Sequence, residues 1–457
     1  MVVDAFSIQF SKMRGKHEMN KLSKGIGLLL ATSVVLGACG NSNDNNAAPS
    51  SDSGSGAADE NKVTLSAWAW NVNVGALNDA MELYKKDHPN VELKVEDMGR
   101  LDVYDKLSTG LAAGGQGLPD IVLVEDDRIQ GYLDAFPKGF LNLSDKGFDG
   151  KDFPAFKQQL TSKDGSYYAL PFDAGPTGLF YRRDIFDKAG VKAESIETWD
   201  DFIAAGKTIK EKTGAYLLPA DKFKDDANFR MMLNELGVFY FDKDGNIDFN
   251  NPKAVQALDT LKKLGDADLV KDVNGWDGTV SATVDGSVAT VPFGAWYYGT
   301  IIDQAKDTNG KWGVIQLPAF EKGGNRAANL GGSSWMIPSA TKHPDEAFEF
   351  AKYFATTPEV QQMAMEKHGL FPSLLSTYSQ PIFQSDVAFF GGQKIWKLFA
   401  DEMKSIPTPY YTKDYAIAMD EAVKAQAHVF MGQSAKEALK SAADSLKSRT
   451  KRNVNNY

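Results

Sequence analysis

The chain has 457 residues, a formal net charge of −10 at pH 7, 43% hydrophobic and 11% aromatic residues, and one cysteine. A net negative chain lacks the basic footprint that nucleic-acid binding requires, and one cysteine excludes a disulfide within the chain. Without the signal and tether expected at residues 1–61, the chain is still long enough for two or three domains.

The N-terminal region has the order of charged and apolar residues that is typical of an export signal. Five Lys and Arg residues within residues 12–24 precede an apolar run over residues 26–38. This run is too short to span a membrane as a helix. We therefore predict a signal peptide over residues 1–38, with Met19 or Met13 as an alternative biological start.

Cys39 lies where the apolar run changes abruptly into Asn and Asp. The preceding residues give Leu-Gly-Ala-Cys, which resembles the lipobox of bacterial lipoproteins, where the cysteine is lipidated and becomes the mature N-terminus. The alternative is an ordinary signal peptide that a small-residue peptidase removes. Residues 39–61 contain no hydrophobic side chain larger than Ala after the cysteine, so we predict a flexible tether that holds a globular body at a membrane surface.

The folded part of the chain is predicted to begin as an open, parallel α/β sheet. Strand patterns alternate with helical patterns, and the last strand is a continuous apolar run, as expected for a strand buried on both faces. Ligands of such sheets bind beyond the carboxyl ends of the strands. The elements are expected, as strand, helix, strand, helix and strand, at residues 62–71, 74–88, 91–98, 104–114 and 118–127.

A second lobe is predicted to begin near the Gly-Pro break at residues 175–176. An N-cap pattern predicts a helix from about Trp199 that Gly214 ends. Further along, a strand is predicted to end at Gly294 and to lead into a helix, and another strand is expected around residues 335–338. The rest of the chain is predicted to be helical.

Acidic residues alternate over residues 242–248 in a way that resembles a calcium loop. The glycine stands at the fourth position, however, and not at the sixth position that the EF-hand turn requires. We therefore predict a plain turn between short strands at residues 238–241 and 246–249, and the sequence leaves a structural calcium ion open.

The motifs of several enzyme classes are missing from the sequence. The five histidines are scattered singly, and there is no Gly-x-Ser-x-Gly elbow, no Gly-x-x-x-x-Gly-Lys loop and no Gly-x-Gly-x-x-Gly after a strand. We therefore predict no metal and no cofactor. A surface glycoside hydrolase or lyase remains an alternative, because hydrolysis needs only two carboxylates.

Four motifs in order carry a family resemblance that extends from about Lys62 to Arg449. Together they resemble an extracellular solute-binding protein of a carbohydrate ABC transporter, of the maltose-binding-like family, closest in motif to members for lactose, arabinose and related oligosaccharides. The strand after the Pro-Asp motif reads Ile-Val-Leu-Val where the maltose-binding type has an aromatic residue, which argues against maltodextrin. The motifs are YALPFDAGPTGLFYRRDIFDKAG, TWDDF, VPFGAWYYGTI and GGSSWMIPSATKHPDEAFEFAKYFATTPEVQQ.

The resemblance implies a two-lobe, periplasmic-binding-protein-like clamshell, each lobe an open and mostly parallel sheet flanked by helices. It implies that a sugar or oligosaccharide is captured between the lobes and delivered to ABC permease subunits, with no catalysis. The expected protein is a monomer on the outer face of the bacterial plasma membrane, attached through its lipid only. The first lobe is expected at residues 62–172 with 327–372, and the second at 173–326 with 373–450.

Strand ends and the lobe crossing supply the candidate sugar-binding residues, because carboxylates and amides bind hydroxyl groups and indole rings pack against sugar faces. Trp296 matches the stacking residue of the family's Gly-x-Trp motif. The candidates are Trp70, Asn71, Glu125, Asp126, Asp173, Trp296, Gly331, Gly332 and Trp335, with Trp276, Tyr410 and Tyr411 as further positions.

Each candidate has a structural alternative. Glu125 and Asp126 would otherwise cap the helix that follows them, Asp173 would make a hinge hydrogen bond, and Trp335 would pack in the core. Trp68 is expected to be core rather than ligand contact. A peptide, a polyamine or a metal is a less favoured ligand, because the strand ends are aromatic and no His cluster exists.

Overall fold

The computed structural model describes residues 62–457. The predicted signal peptide, Cys39 and the predicted tether lie outside the described residues. Within the described part, no helix combines the length and the apolar character that a bilayer span would need.

Short strands and longer helices alternate along the described chain. The strands are β1 (Val63–Ala69), β2 (Val91–Asp97), β3 (Ile121–Glu125), β4 (Ser162–Lys163), β5 (Ser166–Tyr167), β6 (Ala169–Pro171), β7 (Thr177–Arg182), β8 (Leu218–Ala220), β9 (Val270–Asp272), β10 (Thr290–Gly294), β11 (Trp312–Gln316) and β12 (Ser333–Met336).

The helices lie between and after these strands. They are α1 (Val72–Tyr84), α2 (Arg100–Ala112), α3 (Asp126–Ala135), α4 (Ala155–Thr161), α5 (Arg183–Ala189), α6 (Trp199–Thr213), α7 (Ala227–Glu235), α8 (Pro252–Asp266), α9 (Gly275–Val284), α10 (Tyr297–Gln304), α11 (Pro344–Thr356), α12 (Pro358–His368), α13 (Ile395–Glu402), α14 (Tyr415–Phe430) and α15 (Ala435–Thr450).

The first sheet has the strand order β2-β1-β3-β12-β6. Strands β2, β1 and β3 are parallel, as the alternating strand and helix patterns predict. Strand β12 returns from much later in the chain and pairs antiparallel with β3, so that Ser333 lies opposite Glu125, and β6 pairs antiparallel with β12. The carboxyl end of β3 therefore meets the amino end of β12 at one edge of the sheet.

The second sheet is less parallel than the sequence predicts. Its three central strands, in the order β10-β7-β11, are antiparallel. Strands β8 and β9 pair in parallel with each other. A parallel bridge between Tyr216 and Val288, which precede β8 and β10, places this pair beside β10. The difference comes from one strand: β7, the first strand after the crossing from the first lobe, runs opposite to both of its neighbours, β10 and β11.

Three segments run side by side between the two sheets. They connect β6 to β7, β11 to β12, and α12 to α13. Backbone hydrogen bonds join them, from Ala174 N–H to Phe371 O at 2.9 Å and from Leu330 N–H to Gly175 O at 2.8 Å. The two-lobe α/β fold is confirmed, and these hydrogen-bonded crossing segments connect the lobes.

Three apolar clusters stabilise the described chain, one within each lobe and a third in which α4 and α12 pack with the β10-β7-β11 sheet. In the first lobe the four apolar residues of β3 are fully buried, and Trp68 is core, as predicted. The predicted helix from Trp199 is confirmed, with a capping box between Thr198 and Asp201 and with Gly214 as its left-handed C-cap.

The acidic segment at residues 242–248 is a turn. The short strands predicted on either side of it do not form; only a single bridge between Phe241 and Ile247 is present. The Asp242 carboxylate accepts hydrogen bonds from the N–H groups of Asp244 and Asn246 and from the Asn455 amide. The protein's own donors thus occupy this carboxylate.

Candidate functional site

A cavity of about 230 Å³ lies between the lobes, at the end of β3. Its walls come from α2 and the β3–α3 junction on one side, from α7, α9 and α10 on the other, and from the crossing segment at residues 329–332. The polar side chains that line it are Arg100, Glu125, Asp127, Asp225, Arg230 and Asn329, and the aromatic ones are Phe239, Trp276, Phe293, Trp296 and Tyr411.

Glu125 forms the centre of the first-lobe wall. It occupies the N-cap position of α3, but its carboxylate makes no capping hydrogen bond. Instead, Glu125 Oε2 accepts hydrogen bonds from Arg100 Nη1 at 2.7 Å and from the Tyr104 hydroxyl at 2.9 Å. Burial, together with the negative charge of Glu125, raises the pKa of Tyr104 well above its usual value, so its hydroxyl stays a donor.

Asp127 shares this wall, and the sequence analysis missed it. Its Oδ1 atom is buried without a hydrogen-bond partner in the described part of the chain. Burial, with the nearby charge of Glu125, raises the pKa of Asp127 from 3.8 to about 6. Oδ1 lies 3.6 Å from Arg128 Nε, beyond hydrogen-bond distance. This carboxylate on the cavity wall can therefore still accept a hydrogen bond from a ligand hydroxyl.

Asp126 points away from the cavity, so its predicted role in ligand contact is corrected. Its side chain is only 2% exposed. Oδ2 lies 2.6 Å from Lys157 Nζ, and Oδ1 accepts a 2.7 Å hydrogen bond from the Ser334 hydroxyl. Strand β3 ends at Glu125 and α3 begins at Asp126. Glu125 and Asp127 line the cavity on either side of this junction, whereas Asp126 is turned into the interior.

Asp173 is also turned into the protein and does not line the cavity between the lobes, which corrects its predicted ligand role in favour of the hinge alternative. Its Oδ1 accepts a 2.7 Å hydrogen bond from Ser333 N–H, and its backbone oxygen accepts one from Lys157 at 2.8 Å. Burial raises the pKa of Asp173 from 3.8 to about 7. The residue therefore ties two crossing segments together.

Arg230 provides the cation of the second-lobe wall. It extends from α7, donates a 3.0 Å hydrogen bond to the Tyr415 hydroxyl, and lies 2.8 Å from Asp226 through Nε and Oδ1. Burial raises the pKa of Asp226, and the neighbouring guanidinium opposes this rise. Neighbouring side chains thus hold Arg230 in position at the cavity.

Aromatic rings form the remaining wall. The centroids of Trp276 and Trp296 are 5.8 Å apart at an interplanar angle of 39°, and Phe293 lies 5.5 Å from Trp296. Trp296 Nε1 donates a 2.8 Å hydrogen bond to Leu330 O, which fixes the ring against the crossing segment. Trp276 is 47% exposed, so an apolar face is available to a ligand.

Gly331 and Gly332 border the cavity in left-handed backbone conformations, with φ of 93° and 98°. A Cβ atom on Gly332 would lie 2.9 Å from Asp126 Oδ2, and one on Gly331 would lie 3.2 Å from Trp296 Nε1. Glycine is needed here both for the conformation and for the close approach of neighbouring side chains.

The other predicted candidates occupy different places. Trp70 is buried and packs edge-on against Tyr104 at 6.0 Å, behind the first-lobe wall. Asn71 is exposed and lines a second, larger cavity. Tyr410 lines a separate surface cavity, and Tyr411 lines both that cavity and the one between the lobes.

Trp335 belongs to the first-lobe core, which corrects its predicted stacking role. It is fully buried, and its ring packs against Phe172 at 4.7 Å and Phe354 at 6.0 Å. All four residues of β12 are buried, so its side chains are covered on both faces of the sheet.

Sequence reasoning did not select five of the polar cavity residues, namely Arg100, Asp127, Asp225, Arg230 and Asn329. Asp127 had a signal, since three acidic residues in succession follow a strand end. The two arginines had none, because each lies on an ordinary helical face. Within residues 62–457, no three His, Cys, Asp or Glu side chains come together as metal ligands would.

Comparison with known proteins gives consistent matches. A model of the bacterial extracellular solute-binding protein family matches residues 79–391. The lactose-binding protein of Rhizobium radiobacter is 37% identical over 356 residues, which cover 77% of this chain and 84% of that protein. The arabinooligosaccharide-binding protein of Halalkalibacterium halodurans is 28% identical, covering 82% of this chain and 86% of that protein.

A solved structure is similar over nearly its whole length. It is the ABC transporter associated binding protein from B. animalis subsp. lactis Bl-04 in complex with beta-1,6-galactobiose. The two folds superpose with a TM-score of 0.71 at 25% identity, and the match covers 86% of this chain and 98% of the other.

Proposed function

The chain belongs to the family of bacterial extracellular solute-binding proteins, and from this premise we propose that it captures a sugar or oligosaccharide between its lobes. The sugar is then delivered to the permease subunits of an ABC transporter. We assign the first lobe to residues 62–172 with 327–372 and the second to residues 173–326 with 373–450.

The observation that carries this proposal is the composition of the cavity between the lobes. Planar polar groups on both walls, Glu125, Asp127 and Arg230, face an aromatic surface formed by Trp276 and Trp296. Carboxylates and guanidinium groups make paired hydrogen bonds to neighbouring hydroxyls, and indole rings pack against the C–H faces of a pyranose or furanose.

The named relatives support a sugar rather than a peptide or a polyamine. Relatives named for lactose and for arabinooligosaccharides match most of the chain, and a similar structure holds a galactobiose. We propose a ligand among galactose-containing or arabinose-containing oligosaccharides.

We further propose that the protein is a binding protein without catalytic activity. Glycoside hydrolysis needs an acid and a second carboxylate on either side of one bond. Glu125 and Asp127 lie side by side on the same wall, and Glu125 is engaged by Arg100 and Tyr104. Asp225, the carboxylate of the opposite wall, accepts a hydrogen bond from Arg230 at 3.3 Å. This arrangement suits binding and not cleavage.

We propose that the protein acts as a monomer that a lipid on Cys39 attaches to the outer face of the plasma membrane. The support is the sequence alone: a basic and apolar signal, Leu-Gly-Ala-Cys, and a polar tether. Such an anchor keeps the protein near its permease.

The proposal is tested by a thermal-shift screen against a glycan library, followed by calorimetry on the hits. A sugar at one hundred times its dissociation constant stabilises the folded protein by about 2.7 kcal/mol, a shift that is easily detected. A parallel assay for released reducing ends checks for hydrolysis. Stabilisation by peptides or polyamines with no response to any glycan would overturn the proposal.

A further inference from the structure

The space between the lobes continues past two tryptophan rings into a second, wider compartment. The inner compartment is the cavity of about 230 Å³ described above, and the outer compartment has a volume of about 850 Å³. Trp276 and Trp296 are the two residues that line both. The volume of the outer compartment is thus more than three times that of the inner compartment, and the tryptophan pair lies where the two compartments meet.

The outer compartment combines apolar and hydroxyl-binding surfaces from both lobes. Val72 at the start of α1, together with Trp276 and Val284 at the two ends of α9, are large apolar side chains that remain exposed here. Exposed apolar groups gathered in one concave surface mark a binding site. Polar side chains between them include Asn71, Ser281, Thr300 and Asp303.

Asn71, which lines the outer compartment, has an unusual backbone conformation. It follows β1 directly, has a φ of 51°, and makes no side-chain capping hydrogen bond to α1. A non-glycine residue with positive φ is uncommon, and such strain is concentrated at binding sites. The conformation leaves the Asn71 amide exposed on the first-lobe side of the outer compartment.

We infer that the ligand is an oligosaccharide longer than a disaccharide, with one terminal unit in the inner compartment, the next unit against the Trp276 and Trp296 pair, and further units in the outer compartment. This inference rests on the sugar-binding function proposed above. The inner volume is below the usual range of about 300–1,000 Å³ for small-molecule sites, whereas the outer volume lies near its upper end. A short sugar would leave the apolar surface of the outer compartment in water.

The test is calorimetry with two length series, galacto-oligosaccharides and arabinooligosaccharides, each from the disaccharide to the pentasaccharide. In the series that binds, we expect the affinity to rise about tenfold with each of the first two added units, which corresponds to about 1.4 kcal/mol per unit. An affinity that does not change with length, or that falls beyond the disaccharide, would overturn the inference while the sugar-binding function stands.

A blocking variant locates the added units. Ser281 is exposed on α9 and lines the outer compartment, so Ser281→Trp should remove the gain in affinity with ligand length. Ser441→Trp, at an exposed serine on α15 away from both compartments, is the matched control and should bind all lengths like the wild type. Full retention of the length gain in Ser281→Trp would overturn the inference. If no sugar of any length binds, the proposed function itself fails.

Discussion

Lys157 and Asp126 form an ion pair inside the protein, with 2.6 Å between Nζ and Oδ2 and with almost no exposure of either side chain. The same ammonium group donates to the backbone oxygens of Asp173 and Ser333 at 2.8 and 2.9 Å. All three N–H donors of the lysine ammonium group are therefore used where the crossing segments connect the lobes. One side chain of α4 joins the start of α3, the first crossing and β12.

The first prediction is that this ion pair is essential for stability. Lys157→Met leaves the Asp126 carboxylate buried and unpaired, which costs about 3–5 kcal/mol in the free energy of unfolding. Urea denaturation measures the change. Lys397→Met, which removes an exposed ion pair with Asp401 at 2.6 Å, is the control and should cost no more than about 1 kcal/mol. Equal losses in the two variants would show that the buried pair has no special role.

The second prediction concerns the pH dependence of stability at Asp173. Its pKa in the folded protein is about 7, against an ordinary 3.8. The folded state therefore retains a proton that the unfolded state has lost, and the stability contributed by this proton disappears as pH rises from about 4 to 7. Asp173→Asn keeps an acceptor for Ser333 N–H and should flatten this part of the profile.

The measurement is the free energy of unfolding by urea at several pH values. The decline between pH 4 and 7 should be smaller in Asp173→Asn than in the wild type. Sugar affinity at pH 8 should be nearly unchanged, since the side chain does not line the cavity. An affinity loss of tenfold or more with an unchanged stability profile would return Asp173 to the binding site.

The third prediction separates two tryptophans by function. Trp296→Ala should weaken sugar binding at least tenfold, because a stacked ring contributes about 0.5–1.5 kcal/mol beyond its burial. The melting temperature of the unliganded protein should change by only a few degrees. Trp335→Ala is the matched variant in the core and should lose about 3–5 kcal/mol of stability. Calorimetry and thermal unfolding give both readouts, and the reverse pattern would exchange the two assignments.

The fourth prediction is that ligand affinity depends on the ionisation of Asp127. Its pKa is about 6, so the carboxylate is an ionised acceptor above this pH and protonated below it. Charge-assisted hydrogen bonds to sugar hydroxyls are stronger than neutral ones, and affinity should fall as pH decreases from 7 to 5.

The control for this pH effect is Asp127→Asn, which cannot titrate. Its affinity should be lower than that of the wild type at pH 7 and should change less between pH 7 and pH 5. If the variant retains the full pH dependence, another group in the cavity is responsible.

The fifth prediction tests the anchor at Cys39. Cys39→Ala expressed in a bacterial host should be released to the medium or remain unprocessed, because no acyl chains can be attached. Membrane fractionation and N-terminal sequencing measure this. A variant that stays on the membrane with a mature N-terminus would contradict the lipobox interpretation.

Local patterns in the sequence predicted much of the secondary structure correctly. The apolar run of β3, the capping box that starts α6 and the glycine that ends it depend on residues a few positions apart, so their physical causes are visible in the sequence. Strands β6, β7 and β12, which flank the crossings between the lobes, pair antiparallel with strands that are far away in the chain. No local sequence pattern specifies such partners.

For the site, the sequence by itself determined the family resemblance, the strand end at Glu125 and the aromatic motif around Trp296. Only the tertiary structure decided which neighbouring side chain faces the cavity: Asp127 does, and Asp126 is neutralised by Lys157, thirty-one positions further along the chain. The tertiary structure also placed Arg230 of one lobe and Glu125 of the other in the lining of the same cavity. The physical reason is that burial and charge pairing depend on contacts between distant segments, which composition and periodicity do not encode.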